Sequence, residues 1–176
     1  PHAGQVSREG CLYPLDQPGF SAERRAMLAG SVGLSYHSYV FDGRLWALPL
    51  DAATQVQAWR PDLLDSAPEA WGEVIALART GKVVLPLRAP HSLMCVMTLA
   101  ANLGWRPGGN GEDFLPRAVG EAVVGQLAEL ADHLDERCFL LDPIAALDLL
   151  ADSDDLACCP LVYGYVSYAH VGFRGN

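Results

Sequence analysis

The sequence lacks any apolar run long enough to cross a membrane. A spanning helix needs about 20 consecutive apolar residues, and no stretch of the 176-residue chain approaches that length. Apolar residues nevertheless make up 51% of the chain and charged residues 19%, which is enough apolar material to bury a sizeable core. The composition therefore predicts a soluble, globular protein.

Clustered positive charge is also missing. The chain carries 12 lysines and arginines against 21 aspartates and glutamates, which gives a formal net charge of −9. The cations are scattered along the sequence rather than gathered into a stripe. Because an acidic surface repels phosphate backbones, nucleic acid is a poor candidate partner.

Signatures of metal binding, disulfide frameworks and catalysis are absent. The five cysteines are an odd number without Cys-x-x-Cys spacing, so they are predicted to be small buried hydrophobic residues. The chain contains no Gly-x-Ser-x-Gly, His-Glu-x-x-His or Walker sequence. The glycine-rich segment 108–111 lacks a preceding strand and predicts a loop, and the acidic segment 152–155 lacks the glycine and glutamate of a calcium loop. No metal and no cofactor is expected.

The apolar patterns that are present predict alternating strands and helices. Period-two alternation in "GRLWALPL" and "TQVQAWRPDLL" predicts two strands, ended by Pro49 and Pro61. In "SAPEAWGEVIALA", Ser66 and Glu69 have capping-box spacing, and a helix with one apolar face follows. That face comprises Trp71, Val74, Ile75 and Ala78, and Gly81 is predicted to end the helix.

The second half of the chain continues the alternation. "KVVLPLR" predicts a strand, "PHSLMCVMTLAANLG" a helix, "FLPRAVGEAVVGQLAELADHL" the longest helix, and "LACCPLVYGYVSYA" a final strand. Asp142 and Pro143 supply a cap and a first residue for the helix "IAALDLLA". The order predicts an α/β fold with helices packed on a sheet, in which sites gather at the carboxyl ends of strands. The predicted apolar stripe of the "PHSLMCVMTLAANLG" helix comprises Leu93, Val96, Met97, Ala100 and Leu103. The predicted stripe of the longest helix comprises Val119, Val123, Leu127, Leu130 and Leu134.

Among the five histidines, His91 is the candidate ligand-binding residue. It follows a predicted strand at the first turn of a helix, where free backbone N–H groups and the positive dipole end can bind ligand oxygens. Arg88 and Ser92 are its neighbours in sequence. Alternatively Ser92 caps the helix while His91 and Arg88 face solvent; the position at a strand end favours a site.

Three tyrosines surround a glycine in "VYGYVSY", where the last strand ends. Aromatic rings with a hydroxyl group suit polyols, because C–H groups pack on the ring while hydroxyls find polar partners. Core packing explains one or two of these tyrosines equally well. They are Tyr163, Tyr165 and Tyr168.

Several ordered stretches between about residues 10 and 170 resemble the extracellular solute-binding proteins of bacterial ABC importers, of the sugar-binding family 1 type. In chain order they are "GRLWALPLD", "VQAWRPDLL", "APEAWGEVIALA", "LRAPHSLMCVMTLAANLG" and "CCPLVYGYVSYA". The resemblance implies an α/β, periplasmic-binding-protein-like type II architecture with two lobes, incomplete in this chain. Residues 1–50 would be the remainder of the N-terminal lobe with a hinge-crossing strand, and residues 51–176 the hinge and the C-terminal lobe.

The resemblance also implies a function and a set of contacts. A small polar solute, a sugar or polyol, would be captured in a cleft between the lobes and passed to ABC permease subunits, in the periplasm or outside the cell, with a membrane anchor in a preceding segment as a further option. Ala89 stands where the maltose-type pattern has an acidic residue. The ligand-facing positions carried over are His2, Asp51, His91, and Tyr163 or Tyr165, beside Arg88 and Ser92.

Two other functions stay open at this point. The chain could be a small α/β enzyme, a hydrolase or transferase, in which His91 and Asp51 form a general-base pair. It could also be a single lobe reused as a sensory binding module. A nucleophile or metal within hydrogen-bond reach of His91 would favour the enzyme.

Overall fold

Helices and short strands alternate along the chain, so the predicted mixed α/β class is confirmed. The structure is a computed structural model that describes residues 2–17, 19, 21–106 and 114–173; the glycine-rich segment 108–111 lies outside these residues. The chain divides into two compact units, Pro1–Ala53 and Thr54–Asn176. No described helix combines the length and apolar character that crossing a membrane requires.

The first unit contains two helices and a small hairpin. Its elements are α1 (Ala3–Arg8), α2 (Ser21–Gly30), a 3₁₀ turn (His37–Tyr39), β1 (Val40–Phe41) and β2 (Arg44–Leu45). β1 and β2 pair antiparallel through Asp42 and Gly43, which both have positive φ, 52° and 72°. Two left-handed residues of this kind match the twist of a tight hairpin, and glycine adopts the conformation without steric cost.

The predicted strand "GRLWALPL" is correct only over its first residues. Strand structure ends at Leu45, because the partner β1 offers only two residues for pairing. Beyond it, the Trp46 indole donates a hydrogen bond to the Phe41 carbonyl at 2.9 Å. The segment is therefore a hairpin followed by irregular chain.

The second unit is built on a small sheet. Its elements are β3 (Gln55–Trp59), α3 (Trp71–Ala78), α4 (His91–Asn102), α5 (Arg117–Ala131), a 3₁₀ turn (Glu136–Leu140), α6 (Pro143–Asp152), β4 (Cys158–Tyr163) and a 3₁₀ turn (Val166–Ala169). β3 pairs antiparallel with β4, with Gln55 opposite Tyr163 and Trp59 opposite Cys158. The predicted strand "TQVQAWRPDLL" and the final strand are thus confirmed.

On the other side of β4 runs the segment that was predicted as the strand "KVVLPLR". It forms a single parallel bridge, Val83 with Cys158, and the Val84 amide donates to the Cys158 carbonyl at 3.0 Å. The predicted strand is correct in place but too long, because the segment pairs with β4 only near its start. This segment and β4 therefore point their carboxyl ends to the same edge, and the amino end of β3 lies there too.

Helices cover both faces of this sheet. Because successive side chains of an extended segment point to opposite faces, Val83 and Cys158 enter one core cluster while Val84 and Cys159 enter another. The first cluster includes residues of α3, α4 and α5, and the second includes residues of α6. The layered packing predicted from the order of elements is therefore present in this unit.

Two helix details differ from the prediction. Ser66 and Glu69 do not form the capping box: α3 begins at Trp71, and the Glu73 carboxylate accepts the Glu69 amide at 2.7 Å. Pro68 explains the late start, since a proline disfavours helical backbone in the residue before it. Gly81, with φ of 76°, follows the helix as predicted.

The buried stripe of α4 is rotated from the predicted one. Cys95, Leu99 and Ala100 are buried, whereas Leu93 and Leu103 are 45% and 48% exposed. The predicted stripe left out the cysteine, which here packs as a hydrophobic residue. In α5 the predicted stripe is confirmed: Val123 and Leu130 are fully buried, and the flanking members pack against the same cluster, namely Val119, Leu127 and Leu134.

The predicted start of α6 and the predicted burial of cysteine are largely confirmed. The Asp142 carboxylate accepts the Ala145 amide at 2.9 Å, and Pro143 is the first helical residue. The exception among the cysteines is Cys11, which is exposed because the first unit buries few side chains. The buried cysteines are Cys95, Cys138, Cys158 and Cys159.

Candidate functional site

The topology of the second unit brings three segments to one edge of its sheet. Tyr163 ends β4, Gln55 begins β3 directly opposite, and the segment after Val83 leads to His91 at the first turn of α4. We define the candidate site as the residues that meet here: Gln55, His91, Cys95, Thr98 and Tyr163.

The rings of His91 and Tyr163 are in contact. Their centroids are 6.5 Å apart and the ring planes make an angle of 66°, an edge-to-face arrangement. Both residues are half-buried. The structure therefore brings together two residues that the sequence placed 72 positions apart as separate candidates.

His91 holds a polar atom that no described residue satisfies. Its Nδ1 is enclosed and has no hydrogen-bond partner in the described part of the chain. A buried polar atom without a partner costs about 1–3 kcal/mol. A ligand hydroxyl that reaches Nδ1 would remove this cost, since an imidazole nitrogen can donate or accept according to its tautomer.

The start of α4 has no side-chain cap. Its N-cap is Pro90, whose side chain makes no capping bond, and Ser92 is the second helical residue rather than the cap. The Ala89–Pro90 peptide bond is cis. The His91 amide donates to the Arg88 carbonyl, whereas the next two amides of the first turn have no acceptor within the helix, and amides of this kind can bind ligand oxygens.

Arg88 is held by an ion pair. Its guanidinium donates to the Asp142 carboxylate at 2.6 Å, while its carbonyl accepts the His91 amide at 2.8 Å. The Ala145 amide, followed by the charge of Arg88, lowers the pKa of Asp142. The arginine beside the site is thus already neutralised, which favours an uncharged ligand over an anion.

Gln55 and Thr98 were missed by the sequence reasoning. The Thr98 hydroxyl donates to the Gln55 Oε1 at 2.6 Å, and the Gln55 Nε2 donates to the Cys95 Sγ at 3.6 Å. The one sequence signal was the presence of two glutamines, Gln55 and Gln57, in a strand whose other residues are apolar. Burial raises the pKa of the Cys95 thiol, so this sulfur is a neutral hydrogen-bond partner.

The other tyrosines take different places. Tyr165 is 47% exposed and precedes the 3₁₀ turn that follows β4. Tyr168 has a structural role, because its hydroxyl bonds the Asp148 carboxylate on α6. Gly164 separates the two tyrosines from Tyr163, and a Cβ at Gly164 would lie 2.9 Å from the Val56 Cγ2 atom.

His2 and Asp51 belong to the first unit. His2 is exposed and is the residue before α1, so the chain is helical from Ala3 onward. Asp51 is also exposed, and its carboxylate accepts the Ala52 amide at 2.7 Å. The other predicted residues lie in the second unit, namely Arg88, His91, Ser92, Tyr163 and Tyr165.

A cavity of about 700 Å³ lies elsewhere in the second unit, beside Trp59, α6 and the segment 168–171. Its most polar lining residue is Arg60, whose guanidinium bonds Asp62 at 2.6 Å and the Leu150 and Ser153 carbonyls at 3.0 and 2.9 Å. The bonds to the carbonyls satisfy acceptors at the carboxyl end of α6. None of the five candidate-site residues lines this cavity.

Neither a metal-ligand cluster nor a match to a known protein identifies further residues of the site. Within the described ranges, no three His, Cys, Asp or Glu side chains lie together in a way that could hold a metal ion. The chain matches no protein-family model and no curated protein.

Proposed function

We propose that this chain is the substrate-binding component of a bacterial ABC importer, of the family 1 sugar-binding type, and that its candidate site contacts a neutral sugar or polyol. The observation that carries the proposal is the His91–Tyr163 ring pair, with the unpartnered His91 Nδ1 at the carboxyl end of the sheet. A ring face and a free polar atom side by side are the two elements that polyol recognition needs.

The charges on and around the candidate site favour a neutral solute over an anion. Arg88 is paired with Asp142, and the chain as a whole carries a formal charge of −9. The Asp142 carboxylate offsets the charge of the guanidinium, so an anionic solute would be attracted less strongly than by an unpaired arginine.

The proposal extends to architecture and partners. The unit Thr54–Asn176 would be the C-terminal lobe of a type II, two-lobe binding protein, and the chain would work in the periplasm or outside the cell. There it would deliver solute to ABC permease subunits. The support for these points is the ordered resemblance from "GRLWALPLD" to "CCPLVYGYVSYA".

The geometry gives the enzyme alternative little support. A hydrolase or transferase based on His91 needs an activated nucleophile, and the thiol one helical turn further on is Cys95. This thiol is fully buried and its pKa is raised, so it stays protonated and unreactive at neutral pH. A single-lobe sensory module would use the same contacts and would differ only in its partner.

The test is a thermal-shift screen followed by calorimetric titration. The purified chain is mixed in turn with maltose, glucose, xylose, ribitol, glutamate and inorganic phosphate, because a ligand that binds only the folded state raises Tm. We expect a shift with a sugar or ribitol. A shift with phosphate or glutamate alone would contradict the proposal, as would no shift with any of the six.

Matched variants then locate the binding. Tyr163→Ala and His91→Ala should each weaken binding of the active sugar about tenfold, since a ring contact or a satisfied polar atom contributes about 1–1.5 kcal/mol. His133→Ala removes an exposed histidine outside the site and should leave Kd unchanged. Unchanged affinity in both site variants would show that the sugar binds elsewhere.

A further inference from the structure

We propose that Gln55 and Thr98 are positioning residues for the candidate site, and that their side-chain hydrogen bond sets the separation of the His91 and Tyr163 rings. The inference rests on the proposed function for its biological purpose. Its structural content concerns two rings and one hydrogen bond, and it can be tested with or without a solute.

The first link runs from Tyr163 to Gln55 through the backbone. The two residues are partners in the antiparallel ladder of β3 and β4, so a shift of the Gln55 backbone would also move the Tyr163 backbone. Gly164 strengthens this link, because only the absence of a side chain there lets the backbone lie against the Val56 methyl group.

The second link runs from Gln55 to α4 through its side chain. The amide group bonds Thr98 at 2.6 Å and Cys95 at 3.6 Å. Cys95 and Thr98 lie four and seven residues after His91, a spacing that places all three on one face of the helix. The Gln55 amide therefore joins β3 to the helix face that presents the His91 ring.

A hydrogen bond positions the two elements in a way that apolar packing does not. Hydrophobic contact is non-directional, whereas a hydroxyl-to-amide bond of 2.6 Å fixes both distance and angle. Replacing both partners by apolar groups of similar shape is nearly neutral for stability. The Gln55–Thr98 pair should thus contribute more to the ring geometry than to the free energy of unfolding.

The test is the NMR spectrum of the His91 imidazole, whose ring protons are displaced by the ring current of Tyr163. Tyr163→Ala supplies the reference position without this ring. We expect Thr98→Val and the double variant Gln55→Met/Thr98→Val to move the His91 signals toward that reference, while Tm of the double variant stays close to that of the parent.

Two further variants control the test. Thr98→Ser keeps the hydroxyl and should restore the parent His91 signals. Thr80→Val removes a hydroxyl that bonds the Leu77 carbonyl in α3, so it should leave those signals unchanged. Parent-like His91 signals in the double variant, or signals displaced equally by Thr98→Ser, would overturn the positioning role.

Binding provides the second readout. With the sugar that is active in the thermal-shift screen, Thr98→Val should raise Kd about tenfold, the equivalent of one lost hydrogen bond, and Thr98→Ser should not. An unchanged Kd in Thr98→Val would contradict the link to binding. If no sugar binds the parent chain, the proposed function fails, and the NMR comparison still decides whether Gln55 and Thr98 position the rings.

Discussion

Cysteine shows, at the scale of single residues, how burial decides chemistry in this protein. Burial raises the pKa of the Cys158 thiol to about 12, and it raises the pKa of the fully enclosed Cys159 as well. The thiolate is the reactive form, so these groups behave as small apolar side chains at neutral pH. Cys11 is exposed, so a reagent in solution can reach its sulfur.

Thiol labelling measures this contrast directly. In the folded protein, iodoacetamide at pH 7.5 (about one unit below the ordinary thiol pKa) should label Cys11 and spare the four buried cysteines. In denaturant all five should react. Intact mass spectrometry counts the labels, and a second label on the folded chain would show that a core thiol is accessible. Cys11→Ser is the control and should leave the folded chain unlabelled.

At the scale of elements, the helix starts depend on single carboxylates. Glu73 satisfies the Glu69 amide ahead of α3, and Asp142 satisfies the Ala145 amide at the start of α6. Asp142 also pairs with Arg88, so one side chain both begins α6 and neutralises the arginine beside His91. The start of this helix and the charge of the candidate site are therefore coupled.

Replacing Asp142 should separate these two roles. Asp142→Ala should lower the free energy of unfolding by about 1 kcal/mol at pH 7, the usual effect of losing an N-cap. Asp142→Asn should lower it less, because asparagine still caps but carries no charge. Urea unfolding curves of the three proteins measure the difference.

The stabilisation that Asp142 provides should also depend on pH. Folding lowers the pKa of Asp142, so its carboxylate stabilises the folded state above the ordinary carboxyl pKa, and this contribution is lost as the pH falls through the lowered value. The difference in the free energy of unfolding between the parent protein and Asp142→Asn should therefore become smaller below about pH 4. An equal difference in the free energy of unfolding at pH 3 and pH 7 would contradict the stabilising role of the ionised Asp142 carboxylate.

At the scale of the whole molecule, the core is unevenly distributed. Both clusters of buried apolar residues lie in Thr54–Asn176, whereas the buried apolar residues among the described part of Pro1–Ala53 are Tyr36 and Leu45. Small chain segments bury too little surface to gain much stability. Most of the folding free energy should thus come from the second unit.

Native-state hydrogen exchange tests this distribution. The slowest amides should belong to β4, because it has neighbours on both sides and core clusters on both faces. Amides of β1 and β2 should exchange much faster, since local opening there exposes little apolar surface. Equal protection in β1 and β4 would contradict this expectation.

Much of the second unit follows from local sequence. Apolar periodicity predicted α5 with its buried stripe, and Asp142 with Pro143 predicted the start of α6. An error arose where a partner decides the outcome: "GRLWALPL" forms a strand only as far as β1 pairs with it. The position of His91 at a helix start was also predicted from the sequence, because a strand, a turn and a helix are encoded by neighbouring residues.

The sequence by itself determined the mixed α/β class, most helix positions, the acidic charge and the candidates His91 and Tyr163. Only the tertiary structure decided that these two rings meet, that Asp142 neutralises Arg88, and that Gln55 bonds Thr98. These partners are separated by 54 residues for Arg88 and Asp142 and by 43 for Gln55 and Thr98. Local patterns fix the period of a segment, but they carry no information about the register between β3 and β4 or the rotation of α4, which packing sets.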